Sequence, residues 1–81
     1  MNVSVEFYAQ LRDTAGAPEL RVEIPSGGTV ADLLEEVYRR KPALRSHDAT
    51  ILVGTGVEFV DRNHVIQPNE VIAVMPPVQG G

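Results

Sequence analysis

The chain is predicted to be a two-layer α+β domain, a mixed sheet packed on one main helix. Three observations carry this: period-two apolar alternation near the start, a single amphipathic helical stripe in the middle, and a return to strand-like runs afterwards. At 81 residues the chain is of one-domain size, and it buries about 60–65% of its unfolded surface on folding. Hydrophobic residues at 43% and charged residues at 22% are globular values rather than those of a disordered segment.

Val3, Val5, Phe7 and Ala9 alternate with Ser4, Glu6 and Tyr8, the pattern of a half-buried strand. Gln10 to Glu19 contains Gly16 and Pro18 among polar residues and reads as a connecting loop. Leu20, Val22 and Ile24 then alternate with Arg21 and Glu23, completing a hairpin. Pro25-Ser26-Gly27-Gly28 breaks that strand, and Thr29 stands three residues before Asp32 in a capping arrangement. Val30, Leu33, Leu34, Val37 and Tyr38 share one helical face. Asp32, Glu35 and Glu36 lie toward the helix start and Arg39, Arg40 and Lys41 close it, matching the helix dipole, before Pro42 stops it. Thr50 to Val53, Val57 to Val60 and Val71 to Met75 read as strands, with turn chemistry at Pro68-Asn69. The boundaries follow: residues 1–75 form the domain and 76–81 a flexible tail.

The tail is the most informative segment. Pro76 and Pro77 lack N–H donors, so they end the last strand and project Val78, Gln79, Gly80 and Gly81 away from the sheet. Six extended residues reach about 20 Å, enough to cross the rim of a partner's active site. Glycines fit a narrow channel, and a terminal Gly-Gly offers its own carboxylate as the reactive group. The plainer reading of the same residues is a frayed, glycine-rich end.

Other classes are constrained by composition. Zero cysteines exclude a disulfide framework, a thiolate metal site and a persulfide carried on this chain. Seven Lys and Arg against 11 Asp and Glu give a net charge of -4, which argues against a nucleic-acid surface and suits a basic protein partner. No apolar run is long enough to span a bilayer, and Met1-Asn2 leads straight into the first strand with no signal-peptide head, so a cytoplasmic location is expected. Gly27-Gly28 lacks the spacing and lysine of a phosphate loop and precedes acidic residues. His47 with Asp48 and His64 with Asp61 show no ligand spacing, so no metal is expected. No nucleophile motif is present.

Strand parity suggests a docking surface. If Val3, Val5 and Phe7 face the helix, Tyr8 faces away, an unusual place for an aromatic. Ile72 and Val74 fit the buried parity, which turns Ala73 and Met75 outward. Arg12 adds either a polar contact to a partner or a solvated loop charge.

The strand-strand-helix-strand-strand-strand order and terminal Gly-Gly resemble the ubiquitin-like β-grasp family over essentially the whole chain. Within it, Phe7-Tyr8-Ala9-Gln10-Leu11-Arg12, Asn69-Glu70-Val71 and above all Met75-Pro76-Pro77-Val78-Gln79-Gly80-Gly81 resemble the family of small, sulfur-carrying subunits of molybdopterin synthase. Val53-Gly54-Thr55-Gly56 departs from the Val-Asn-Gly type of turn common there. Matching the family pattern places Phe59 outward; its short strand leaves a core position equally open, and an outward Phe59 completes an apolar patch with Tyr8 and Met75.

The resemblance implies a carrier without catalytic groups of its own. Gly81 would be adenylated by a ubiquitin-activating-like, ATP-using adenylyltransferase, and a sulfur donor protein would convert the adenylate to a thiocarboxylate. The large synthase subunit would then receive the tail, with Gly80 giving room and Pro76 to Gln79 forming the arm, and pass sulfur to cyclic pyranopterin monophosphate in molybdenum cofactor biosynthesis. The chain itself would bind no cofactor. Carriers for thiazole, cysteine or tRNA thiolation share the fold. A ubiquitin-like modifier would use the same tail, and a non-covalent binding module would not use it.

Overall fold

The computed structural model describes residues 1–56 and 58–77. Five strands form one mixed sheet: β1 (Asn2–Phe7), β2 (Glu19–Glu23), β3 (Leu52–Thr55), β4 (Glu58–Val60) and β5 (Val71–Met75), in the order β2-β1-β5-β3-β4. β1 and β5 run parallel at the centre, and the other pairs are antiparallel. Two helices, α1 (Gln10–Ala15) and α2 (Val30–Arg40), complete the α+β architecture with a 3-10 helix at Pro42–His47.

The main helix forms as its sequence predicts. The Thr29 hydroxyl accepts from the Asp32 N–H at 3.3 Å while the Asp32 carboxylate accepts from the Thr29 N–H at 3.0 Å, a complete capping box. Two more N–H groups of the first turn donate to chain outside the helix: Val30 to the His64 carbonyl and Ala31 to the Arg62 carbonyl, each at 3.0 Å. Val30, Leu33, Leu34, Val37 and Tyr38 are all buried against Val3, Val5, Phe7, Val22, Val53, Ile72 and Val74. The inner sheet face is thereby consumed by the core.

The connection after β1 corrects the loop expected there. β1 ends at Phe7; Ala9 leaves the alternation with φ 54 and is exposed. Gln10–Ala15 is helical, with Leu11 and Ala15 one turn apart and buried in the core, and Gly16 closes it in the left-handed conformation at φ 76. Tertiary burial of two side chains holds a helix too short to be stable alone. The third strand starts at Leu52 rather than Thr50, because the Thr50 and Ile51 N–H groups both donate to the His47 carbonyl. Val57 lies outside the described residues, and β4 is described from Glu58. The turn expected at Pro68-Asn69 is present, with Asn69 at φ 72.

The long crossing from β4 to β5 is tied down at both ends. Arg62 donates to the Asp48 side chain at 2.9 Å and to its carbonyl at 2.6 Å, while the Tyr38 hydroxyl donates to the same carboxylate at 2.6 Å. Nearer β5, Glu70 accepts from the Gln67 N–H at 2.6 Å and lies 3.2 Å from His64 Nε2. These contacts hold Ile66, which is buried, under the helix start.

Candidate functional site

The outer sheet face divides into a polar and an apolar half. Cross-strand register places Glu6, Ala73, Gly54 and Phe59 in one row over β1, β5, β3 and β4. The next row pairs Met75 with Leu52, and Tyr8 extends it because its N–H continues the ladder to the Val74 carbonyl at 3.1 Å. Toward β2 the same face carries Glu19, Arg21 and Glu23 opposite Glu6, Ser4 and Asn2. Toward β4 it carries Val71, Ala73, Met75, Leu52 and Phe59. Phe59 is 66% exposed, and Tyr8 and Val71 are each 44% exposed. These large apolar side chains are left open on one contiguous face and lie outside the core.

The three residues Tyr8, Phe59 and Met75 therefore share a face, and Phe59 takes the outward alternative. Its antiparallel partner Gly54 has no side chain, so nothing on β3 covers the ring at that register position. Parity extends the patch to Val71 and Leu52, which sequence reasoning missed although the same alternation that turns Met75 outward turns Val71 outward too.

The Tyr8 hydroxyl is held by a neighbour on β1: it donates to the Glu6 carboxylate at 3.0 Å. That hydrogen bond first, and the charge of the same carboxylate second, raise the phenol above its usual value, with Arg12 pulling the other way. With the hydroxyl engaged, the side chain is still exposed. Arg12 sits on α1, not in a loop, and shares a shallow depression with Glu6, Tyr8, Pro18 and Glu19. Among the described residues it forms no ion pair within 4 Å.

The tail begins at this patch. Met75 is the last residue of β5, a central strand, and is followed by half-buried Pro76 and exposed Pro77. Neither proline can extend the ladder. Val78, Gln79, Gly80 and Gly81 lie outside the described residues. The apolar face and the root of the arm thus share Met75.

Competing sites find no support among the described residues. No group of three His, Cys, Asp or Glu side chains is placed to hold a metal ion. Asp48 is engaged with Tyr38 and Arg62, and the His64 ring with Glu70, while from His64 Asp61 receives only the backbone N–H, at its carbonyl. The hollow beside Gly27 and Gly28 is lined by Glu23, Asp32, Glu35 and Glu36, a potential that repels phosphate. No helix is long and apolar enough to cross a membrane.

The profile of the ThiS family matches residues 5–81. The chain belongs to the ThiS family. Among curated members of comparable length, the molybdopterin synthase sulfur carrier subunit of Drosophila ananassae is 30% identical over 83 residues, covering all of this chain and 92% of that one. Among solved structures, small archaeal modifier protein 1 of Haloferax volcanii superposes with a TM-score of 0.85 at 26% identity, covering 95% of this chain and 98% of that one. A complex of subunits 1 and 2 of the molybdopterin-converting factor from Helicobacter pylori contains a chain of the same fold, with a TM-score of 0.71, 20% identity and full coverage of both chains. As a ThiS family protein with this sheet order, the chain has the ubiquitin-like β-grasp fold.

Proposed function

We propose that this chain is the sulfur-carrier subunit of a molybdopterin synthase, with the Gly81 carboxyl as its reactive group. The observation that carries the reading is the open apolar face of Tyr8, Phe59 and Met75 continuous with the Pro76-Pro77 root of a Gly-Gly arm. A partner that covers this face receives the arm in the same act. The curated sulfur-carrier relative supplies the pathway, and the two-subunit neighbour supplies a precedent for the fold in such a complex.

The chemistry follows from the weak electrophilicity of a carboxylate. A Gly81 oxygen attacks the α-phosphorus of ATP on an adenylyltransferase, pyrophosphate leaves, and the carboxyl becomes an acyl-adenylate. A sulfur donor protein then supplies sulfide-level sulfur, the C–S bond forms, AMP leaves, and Gly81 becomes a thiocarboxylate. In the large subunit, that sulfur attacks a carbon of the cyclic pyranopterin precursor, a C–S bond forms as an oxygen substituent leaves, and a thioester results. Water then cleaves the acyl–sulfur bond, leaving the sulfur on the pterin and restoring the Gly81 carboxylate. This chain contributes reach and docking. In this reading the acids, bases and phosphate-binding cations belong to its partners. The place of action is the cytoplasm.

The test is reconstitution. Protein thiocarboxylated at Gly81, mixed with the large synthase subunit and cyclic pyranopterin monophosphate, is expected to yield molybdopterin with loss of the thiocarboxylate. No product from loaded carrier under conditions that support a known small subunit would overturn the reading. A second reading, a protein modifier joined through Gly81 to lysine amines, is favoured by the likeness to small archaeal modifier protein 1. It predicts isopeptide adducts after activation without added sulfur.

A further inference from the structure

Gly54 lies within β3, where glycine weakens a strand and often marks a bulge, a bend or a close approach by a ligand or another stretch of backbone, here including the Glu58 carbonyl of β4. Its own conformation is not the reason for it: among the described residues the positive-φ glycines are Gly16, Gly27 and Gly56, not Gly54. The missing side chain leaves a notch on the outer face, walled by Phe59 and Met75, floored by Gly54 and Ala73, with Glu58 at its rim. A Cβ at position 54 would enter that space, 3.2 Å from the Glu58 carbonyl oxygen, 3.5 Å from Met75 Cε and 3.9 Å from Phe59 Cδ1.

The geometry points to a receiving site: the notch over Gly54 takes one aliphatic side chain of the large synthase subunit, and Gly54 with Ala73 decides which partner surface fits. This rests on the docking reading above. Three features select the occupant. The walls are a phenyl ring and a thioether, so the guest is apolar. One wall, Met75, is the residue before Pro76, so the protein that accepts the arm also covers the notch. Glu58 at the rim and Glu6 in the same register row favour cationic residues around the guest, in keeping with the net charge of -4. A single anchor in a walled pocket carries a large share of interface energy, which makes the notch a specificity determinant rather than one contact among many.

Two variants fill the notch from neighbouring strands of its floor: Ala73→Leu from β5 and Gly54→Ala from β3. Ser4→Leu adds bulk on the same sheet face, but over β1 and outside the notch. Each is measured by calorimetry against the large subunit of molybdopterin synthase, with thermal unfolding run alongside. Ala73→Leu is expected to bind at least about tenfold more weakly while melting near the parent, and Ser4→Leu to bind within about twofold of it. Gly54→Ala gives the same loss of affinity; should the tight approach to the Glu58 carbonyl unfold it, Ala73→Leu decides alone. Parent-like affinity of a folded Ala73→Leu overturns the notch and leaves the carrier reading standing. Equal losses in Ala73→Leu and Ser4→Leu overturn it as well, because bulk anywhere on the face then suffices. If the unsubstituted protein fails to bind the large subunit, the carrier reading falls and the notch falls with it.

Discussion

Leu11→Ala separates the fold from the docking face. Leu11 is fully buried although it lies on a six-residue helix in the β1–β2 connection. Truncating a buried leucine costs about 2–5 kcal/mol, and the short α1 can partly close the gap, which favours about 3 kcal/mol. A domain of this size holds about 4–12 kcal/mol in total. The loss therefore lowers the melting midpoint by about 12–24 °C. Urea titration and thermal scanning read the stability; calorimetry against the large subunit, well below the lowered midpoint, reads the docking. The variant is expected to bind as tightly as the parent, because Leu11 faces the core and Tyr8, Phe59 and Met75 face away from it. A shift below about 4 °C would refute the packing of α1 onto the core. Weakened binding by a folded variant would refute the separation of the two faces.

Other outcomes follow from the same geometry. Phe59→Asp and Tyr8→Lys are expected to change the unfolding midpoint little, since both side chains are open to solvent, and to weaken large-subunit binding at least about tenfold by calorimetry. Removal of Gly81 should leave thermal stability unchanged and abolish adenylation, read as ATP-dependent pyrophosphate release. Asp48 gives a pH signature. The Tyr38 hydrogen bond first, and then Arg62 against the opposing effect of burial, hold its carboxyl below the ordinary 3.8. A depressed folded value contributes stability that is present above 3.8 and lost as pH falls through the folded value. Tyr38→Phe should therefore be less stable at neutral pH by about 1 kcal/mol, discounted for the exposure of Asp48, and lose less between pH 4 and pH 2 than the parent in acid titrations followed by circular dichroism. A parallel acid limb in both proteins would remove the Tyr38–Asp48 bond from the account.

The legible parts of this chain are those with a repeating signal. Five apolar residues on one helical face, capped by Thr29 and Asp32, specify α2, and alternation in β1 and β5 specifies which side chains enter the core. α1 was not legible because its apolar signal is only Leu11 and Ala15, flanked by Gly16 and Pro18, and its burial depends on residues far along the chain. The 3-10 helix at Pro42–His47 presents even less, a single buried Leu44. Register resolves Phe59, whose three-residue strand carries no decisive parity alone, by setting it opposite Gly54. The Tyr38 hydroxyl lies on a stripe that reads as core, but its acceptor Asp48 is ten residues away across Pro42, a separation no local pattern encodes. The apolar patch was readable at its corners Tyr8 and Met75; the notch between Phe59 and Met75 required neighbouring strands to be aligned.

The central claim is that Gly81 carries sulfur, and intact mass spectrometry tests it most directly. The protein is incubated with ATP, the adenylyltransferase and a sulfur donor protein, then fragmented to place any change. The account predicts a gain equal to replacing one oxygen by sulfur, localised to Gly81, dependent on ATP and reversed by mild hydrolysis. A terminus that remains an ordinary carboxylate under conditions that load a known carrier of this fold would contradict it.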